Sequence, residues 1–230
     1  MALAPGETSE TFIREVDENL RRDQAEAVFK RYGKWIIAAA VLLLVAIAVW
    51  LFWKNQQAEQ AAANSEQFSA ILTDVGQGKS GTDIAQRLDT LAAEGNGSMT
   101  GAARLTSAAL ALQKSDRATA SAQYKQIIED KSVPQTVRDT ATIRLTQLEF
   151  DTLQPQQVIE RLSPLAVKDS AWYGSAGELT ALAMIKANRK REAAALLNAV
   201  AADTNVPPSI RARAELLASG LAIPAAPAAR

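Results

Sequence analysis

The sequence predicts an all-α protein with one N-terminal transmembrane helix followed by a solenoid of paired helices. Three observations support this prediction. Residues 35–53, WIIAAAVLLLVAIAVWLFW, contain no charge, no proline and no glycine. Further along the chain, short stretches recur at an almost constant spacing, which is typical of a repeat protein. No stretch alternates Val, Ile or Thr with polar residues, the pattern that indicates a half-buried strand.

The apolar run 35–53 has the length of one membrane span. At about 1.5 Å of rise per residue it extends about 28 Å, close to the roughly 30 Å hydrocarbon core of a bilayer. Eleven of its residues are Val, Leu, Ile or Phe, and each favours insertion by about 0.3 to 0.6 kcal/mol near the helix centre. The alternative is the core helix of a soluble protein, but such a helix rarely stays free of charge over this length.

Aromatic and basic side chains flank the apolar run at both ends. They are typical of the membrane–water interface, where aromatic rings lie at headgroup depth and lysine side chains extend towards water. The sequence therefore predicts six interface residues: Tyr32, Lys34, Trp35, Trp50, Trp53 and Lys54.

The distribution of basic residues predicts the orientation of the span. Five Lys and Arg residues lie between positions 21 and 34, whereas Lys54 is the only one after the run until Lys79. Basic residues concentrate on the cytoplasmic side, so segment 1–34 is expected in the cytoplasm, with an amphipathic helix over residues 9–32. The long segment before the run differs from that of a cleaved signal peptide, so we expect a permanent anchor at 35–53.

Composition excludes most kinds of chemistry. The 230 residues include no Cys and no His, so common transition-metal sites, Cys–His pairs and Ser-His-Asp triads cannot form. Lys and Arg number 25, as do Asp and Glu, and the absence of a basic cluster after the anchor argues against nucleic acid. The loop 76–80, GQGKS, lacks the first glycine of a phosphate-binding loop. We therefore predict a non-enzymatic protein with no metal, cofactor or small-molecule substrate.

Residues 54–98 are predicted to extend the anchor as a helix and to add one linking helix. The stretch after Lys54 is rich in Ala, Gln and Glu, which favour helices, and it reaches the glycines at 76–81. The linking helix follows, with Ile84, Leu88 and Leu91 on one face. This face is expected to pack against the repeat domain.

Two stretches recur within residues 99–220. Residues 110–117, LALQKSDR, match residues 182–189, LAMIKANR, at an offset of 72, and residues 133–138, VPQTVR, match residues 206–211, VPPSIR, at an offset of 73. Half of this spacing is close to the 34-residue period of tetratricopeptide repeats, so a weaker unit is expected in between. The predicted units are 99–134, 135–169 and 170–206, with a capping helix over 207–220 and a disordered tail over 221–230.

Each unit is predicted to be a pair of helices joined by a tight turn, at Asp116, Pro155 and Asn188 respectively. The second helix of each pair has an apolar face with spacings of four and three residues. These inward positions are Ala120, Tyr124 and Ile127, then Val158, Leu162 and Leu165, then Ala193, Leu197 and Val200.

A tetratricopeptide repeat-like solenoid of this kind binds peptides or partner helices along a concave groove. The sequence does not identify the residues that line this groove. Trp172 and Tyr173 are the only candidates, and packing in the core between neighbouring helix pairs is the alternative role for both.

The chain resembles the ancillary SecYEG translocon subunit family of the YfgM type over residues 12–220. The similarity includes the FKRYGK run at 29–34, the Trp50 and Trp53 pair, and Ala62, Ser65 and Phe68 after the span. In the last unit it includes Trp172, the EL pair at 178–179 and the KREA run at 190–193. Asn188 stands where a Gly-Asp turn is common in the family, and the Pro-Ala tail is a second difference.

This resemblance implies a single-pass protein of the bacterial inner (plasma) membrane with its C-terminal domain in the periplasm. It also implies two partners, the Sec translocon and a membrane-anchored periplasmic chaperone of the peptidyl-prolyl isomerase type. The protein would help to pass translocated polypeptides to periplasmic chaperones.

Other functions stay open at this point. The chain could be a scaffold for another envelope complex, such as cell division or wall synthesis, because one architecture serves many partners. It could also be a stress sensor whose helix over residues 9–32 recruits a cytosolic regulator. Pairing of two copies through the Ala-rich face of the span, forming a homodimer, is a further option.

Overall fold

The computed structural model describes residues 7–79 and 81–221, and within the first helix it describes side chains from residue 30 onwards. In this part of the chain the helices are joined by turns and loops and there is no strand, which confirms the predicted all-α class. The helices are α1 (Glu7–Gly76), α2 (Thr82–Glu94), α3 (Gly97–Gln113), α4 (Arg117–Glu129), α5 (Gln135–Glu149), α6 (Pro155–Leu162), α7 (Tyr173–Lys186), α8 (Lys190–Ala202) and α9 (Pro208–Gly220).

The chain divides into two compact units, Met1–Gln60 and Ala61–Arg230. In the first unit, the backbone of the predicted amphipathic stretch 9–32 is part of the continuous helix α1, but its side chains before residue 30 lie outside the described residues. The predicted disordered tail after Leu221 lies outside them as well.

The apolar run in α1 is exposed along its length. Among the described residues, α1 contains one stretch that is long and apolar enough to cross a membrane, and none of that stretch is buried. Leu42 and Phe52, for example, are each 70% exposed. The core helix of a soluble protein would bury such side chains, so α1 is a candidate membrane span rather than a core helix.

The second unit begins with the end of α1 packed against α2. Ile71 of α1 is fully buried together with the predicted inward residues Ile84, Leu88 and Leu91 of α2. Asp74 of α1 also accepts a hydrogen bond of 2.8 Å from Arg87 of α2. This packing makes the end of α1 and α2 a further helix pair in front of the three predicted units.

The three helix pairs and the capping helix that follow have the predicted inward faces. Eight of the nine predicted inward side chains are buried, and seven of these have no exposed surface at all or only 1%. Asp116 lies at the first predicted turn, where its carboxylate accepts a hydrogen bond from the Thr119 backbone N–H and so caps α4. Pro155 is the first residue of α6, and Asn188 adopts the left-handed φ of 61° at the third turn.

The remaining inward residue, Leu165, lies beyond the end of its helix, so its prediction as a helical residue is wrong. Helix α6 ends at Leu162 and is only 8 residues long. The reason is Pro164, which has no N–H to donate to the carbonyl four residues earlier and so cannot continue the helix. Leu165 instead lies half-buried in the following turn, where its N–H donates to the Leu162 carbonyl at 2.9 Å.

The first and third helix pairs correspond at an offset of 73 residues, as the bounds of α4 and α8 show, which corrects the offset of 72 assigned to residues 110–117. The two left-handed turn residues, Ser115 at φ 63° and Asn188 at φ 61°, are 73 positions apart. Gly101 and Gly174 share the same offset, and a Cβ on either would lie within 2.8 Å of a valine methyl, of Val137 in α5 and of Val206 in the loop before α9 respectively. The match at an offset of 72 includes the buried Leu110 and Ala111, but it would pair Ser115 with Ala187 instead of the left-handed Asn188, so the turn geometry excludes it.

Gly97, the first residue of α3, is required by close approach of the loop before α5. A Cβ at this position would overlap the backbone carbonyl of Ser132, and backbone cannot move aside as a flexible side chain can. We expect Gly97→Ala to lower the free energy of unfolding by about 1 to 3 kcal/mol through overpacking. Guanidinium unfolding of the full chain in detergent micelles, followed by circular dichroism, measures this loss.

The control for this substitution is Gly220→Ala at the last residue of α9, where an added Cβ meets nothing within 4 Å. Its free energy of unfolding should stay within about 0.5 kcal/mol of the wild type. If the two substitutions lowered the free energy of unfolding equally, contact with Ser132 would not be the reason for a glycine at position 97.

Candidate partner-binding groove

The order of contacts among the helices indicates on which side the solenoid is concave. In the described residues, α3 contacts α5, α5 contacts α7 and α7 contacts α9. Helices α4, α6 and α8, the second members of the pairs, contact the helices next to them in sequence but not one another. The first helices therefore converge while the second helices spread apart, which places α3, α5 and α7 on the inner side of the curve.

The larger cavity on this side lies between α3 and α5 and has a volume of about 660 Å³. One wall consists of apolar side chains of α3 and the other of mostly polar side chains of α5, with two residues of α4 at its edge. The lining residues are Leu105, Ala109, Leu112, Arg117, Tyr124, Thr140, Arg144, Gln147 and Leu148.

A second, smaller cavity lies between α5 and the start of α7, with a volume of about 170 Å³. It is lined by Thr140, Ile143, Arg144, Gln147, Trp172 and Ser175. Three of these residues, Thr140, Arg144 and Gln147, also line the larger cavity, because their spacings of four and three place them on one face of α5. We call the two cavities together the central groove.

Arg144 is the exposed cation at the middle of the central groove. It forms no hydrogen bond and no ion pair with the other residues that the structure describes. Burial raises the pKa of the neighbouring Tyr124, and the positive charge of Arg144 acts in the opposite direction. Arg117, the other arginine of the groove, donates a hydrogen bond to the Leu148 carbonyl and thereby links α4 to the end of α5.

Comparison with known protein families agrees with this architecture. The chain matches the family model described as a tetratricopeptide repeat-like domain over residues 27–215. The chain belongs to this tetratricopeptide repeat-like family. No match was found among curated proteins or among solved structures. Tetratricopeptide repeat-like domains typically bind other proteins and carry no enzymatic activity, so this chain has the fold of a protein-interaction scaffold.

The two sequence-predicted partner residues have different environments in the tetratricopeptide repeat-like domain. Tyr173 is buried in the core with Leu197 and Val206. Trp172 is half-buried: it packs against the cluster that contains Ile143, and it also lines the smaller cavity of the central groove. Partner contact stays a prediction for both, and Trp172 has the better access.

A further cavity of about 470 Å³ lies at the start of α7, next to the loop before α9. Trp172 and Tyr173 both line it, together with the acidic residues Asp169 and Asp203. No basic residue lines this cavity among the described residues. Its charge is therefore opposite to that of the central groove.

The six predicted interface residues all lie on α1 with exposed side chains. The Lys54 ammonium lies 5.2 Å from the centre of the Trp50 ring, and the Arg31 guanidinium lies 5.8 Å from that of Tyr32. These cation–π contacts pair a basic with an aromatic side chain at each end of the apolar run. Such pairs are typical of interfacial anchors, and the role of these residues at a membrane surface stays a prediction.

Sequence reasoning missed the residues that line most of the central groove, Leu105, Leu112 and Arg144 among them. One signal was available. Thr140, Arg144 and Gln147 form a polar stripe on the first helix of the middle pair, the helix that lies at the centre of a three-pair solenoid. Without the helix contacts, however, this stripe is indistinguishable from any solvated helix face.

Proposed function

We propose that this chain is a non-enzymatic, membrane-anchored accessory subunit of the bacterial Sec translocon. The observation that carries the proposal is the open central groove of a tetratricopeptide repeat-like domain, in a chain that also has a candidate membrane span. The groove provides room for a partner polypeptide. The span would keep that partner close to the membrane.

We propose the following membrane arrangement. Residues 1–34 lie in the cytoplasm, residues 35–53 cross the inner membrane, and residues 54–98 with the repeat domain 99–220 lie in the periplasm. The excess of Lys and Arg before the span supports this orientation. Tyr32, Lys34 and Trp35 would mark the cytoplasmic interface, and Trp50, Trp53 and Lys54 the periplasmic one.

The proposed partners are the Sec translocon and a membrane-anchored periplasmic chaperone of the peptidyl-prolyl isomerase type. Their identity depends on the sequence resemblance to the ancillary translocon subunits. The groove supports the more general part of the proposal, a polypeptide partner. In this role the protein would help to pass translocated chains to periplasmic chaperones.

Copurification tests the identity of the partners. Tagged full-length protein and a variant of residues 55–230 are purified from membranes in mild detergent, and the accompanying proteins are identified by mass spectrometry. We expect translocon subunits and a periplasmic chaperone with the full-length protein. Recovery of a different envelope complex, with no translocon above background, would leave a membrane-tethered scaffold as the function.

A photo-crosslinking residue at position 112 tests whether the groove is the contact surface. Leu112 is 38% exposed and lines the larger cavity, so we expect crosslinks from this position to a copurifying partner. The same residue at position 216, where Leu216 is 74% exposed on α9, is the control and should give little of that product.

Deletion of residues 2–28 distinguishes the proposed scaffold from the sensor alternative. Only a sensor requires that segment for its function, so a scaffold should keep its function without it.

A further inference from the structure

We propose that the central groove selects a partner segment in which an Asp or Glu side chain stands beside a large apolar side chain. This inference rests on the proposed function, namely that the groove binds a polypeptide. It adds the chemistry of the segment that the groove recognises.

The charges that line the central groove indicate an acidic ligand. Arg117 and Arg144 are its charged residues, and neither cavity is lined by Asp or Glu among the described residues. This bias is local, since the whole chain has a formal net charge of zero. A basic segment would be repelled here, whereas a carboxylate would meet the positive charges of Arg144 on the α5 wall and of Arg117 at the edge of the larger cavity.

Arg144 is the group best placed to hold the carboxylate. Its guanidinium is exposed and has no hydrogen bond or ion pair with other described residues, so binding need not break an existing contact. Arginine binds a carboxylate through two parallel hydrogen bonds, which adds directional selectivity to the charge attraction. Thr140 and Gln147, on the same face of α5, provide further polar groups beside it.

The opposite wall of the larger cavity explains the apolar part of the ligand. Leu105, Ala109 and Leu112 follow one another at spacings of four and three along α3 and so form a continuous apolar strip. Burial of an apolar side chain against this strip would also exclude water from the ion pair. Charge-assisted hydrogen bonds are stronger in such surroundings, so the two parts of the ligand reinforce each other.

The test uses the full chain in nanodiscs of zwitterionic lipid, which adds no net lipid charge. A phage-displayed library of random 15-residue peptides is selected on this protein. The enriched peptides are then synthesised with a fluorescent label, and their affinity is measured by fluorescence anisotropy. We expect enrichment of Asp or Glu next to Leu, Ile, Phe or Met, and at least tenfold weaker binding to Arg144→Glu.

Two further variants separate charge from general damage. Arg144→Lys retains the charge but not the paired hydrogen bonds, so binding should weaken less than in Arg144→Glu. Arg191→Glu is the matched control, because Arg191 is also exposed but lines a different cavity between α8 and α9. Binding to this variant should stay within twofold of the wild type.

Enriched peptides without acidic residues, absence of enrichment, or equal losses in Arg144→Glu and Arg191→Glu would each overturn the inference. The proposed function has its own readout in the crosslinks from position 112. If those crosslinks form equally well in Arg144→Glu, the groove binds a partner without the proposed acid selectivity. Loss of both the crosslinks and the copurifying translocon would instead reject the proposed function.

Discussion

Replacing Leu44 and Val45 together with arginine is expected to abolish stable insertion of the chain into the membrane. Each arginine near the centre of a span costs about 2.5 to 3.5 kcal/mol, and each replaced residue contributed about 0.3 to 0.6 kcal/mol. The double substitution therefore costs about 6 to 8 kcal/mol on the same scale. This exceeds the several kcal/mol that the eleven Val, Leu, Ile and Phe residues of the run provide together.

Carbonate extraction of membranes measures this loss, because it releases proteins that are not integrated. The wild type is expected in the pellet and the double variant in the supernatant. Arginine at Gln56 and Gln57, two exposed positions just beyond the span, adds the same charge and should leave the chain in the pellet. If the double variant stayed in the pellet, this result would contradict the assignment of residues 35–53 as the span.

Leu197→Ala is expected to produce the largest loss of stability from a single truncation in the repeat domain. Leu197 has no exposed surface and packs with Tyr173, Val200 and Val206 at the contact of α7, α8 and the loop before α9. Truncation of a buried leucine removes its transfer free energy and leaves a cavity, which together cost about 2 to 5 kcal/mol. A domain of ordinary stability, about 5 to 15 kcal/mol, would lose a large fraction of it.

Guanidinium unfolding of the full chain in detergent micelles, followed by circular dichroism, measures this effect as a lower transition midpoint. Leu216→Ala is the matched control, because it removes the same atoms from a side chain that is 74% exposed. Its stability should stay within about 0.5 kcal/mol of the wild type. A comparable loss in both variants would contradict the assignment of Leu197 to the core.

The candidate membrane span was open to prediction because it depends on local sequence. An uninterrupted apolar run of sufficient length favours insertion through additive transfer free energies, and none of its members requires a distant partner. The inward faces of α4 and α8 were equally accessible, since Ala120, Tyr124 and Ile127 repeat the helical period. Local reasoning was wrong at Leu165 because the apolar spacing continued past Pro164, which ends α6.

The central groove was not open to prediction in the same way. Arg144 and Leu112 are unremarkable in the sequence, and they line one cavity only because α3 and α5 pack side by side. That neither cavity of the groove is lined by Asp or Glu among the described residues likewise becomes visible only when residues of α3, α4 and α5 are taken together. A partner site of this kind is a property of the helix packing.

The sequence by itself determined the all-α class, the candidate span, the helix pairs and most of their buried residues. These features follow from helical periodicity, turn chemistry and the cost of transferring side chains between water and an apolar phase. Only the tertiary structure decided between offsets of 72 and 73 for residues 110–117, and only it showed the end of α6 and the residues that share the central groove. They depend on close packing between helices that are distant in sequence, where contacts such as those of Gly101 and Gly174 allow one arrangement and exclude others.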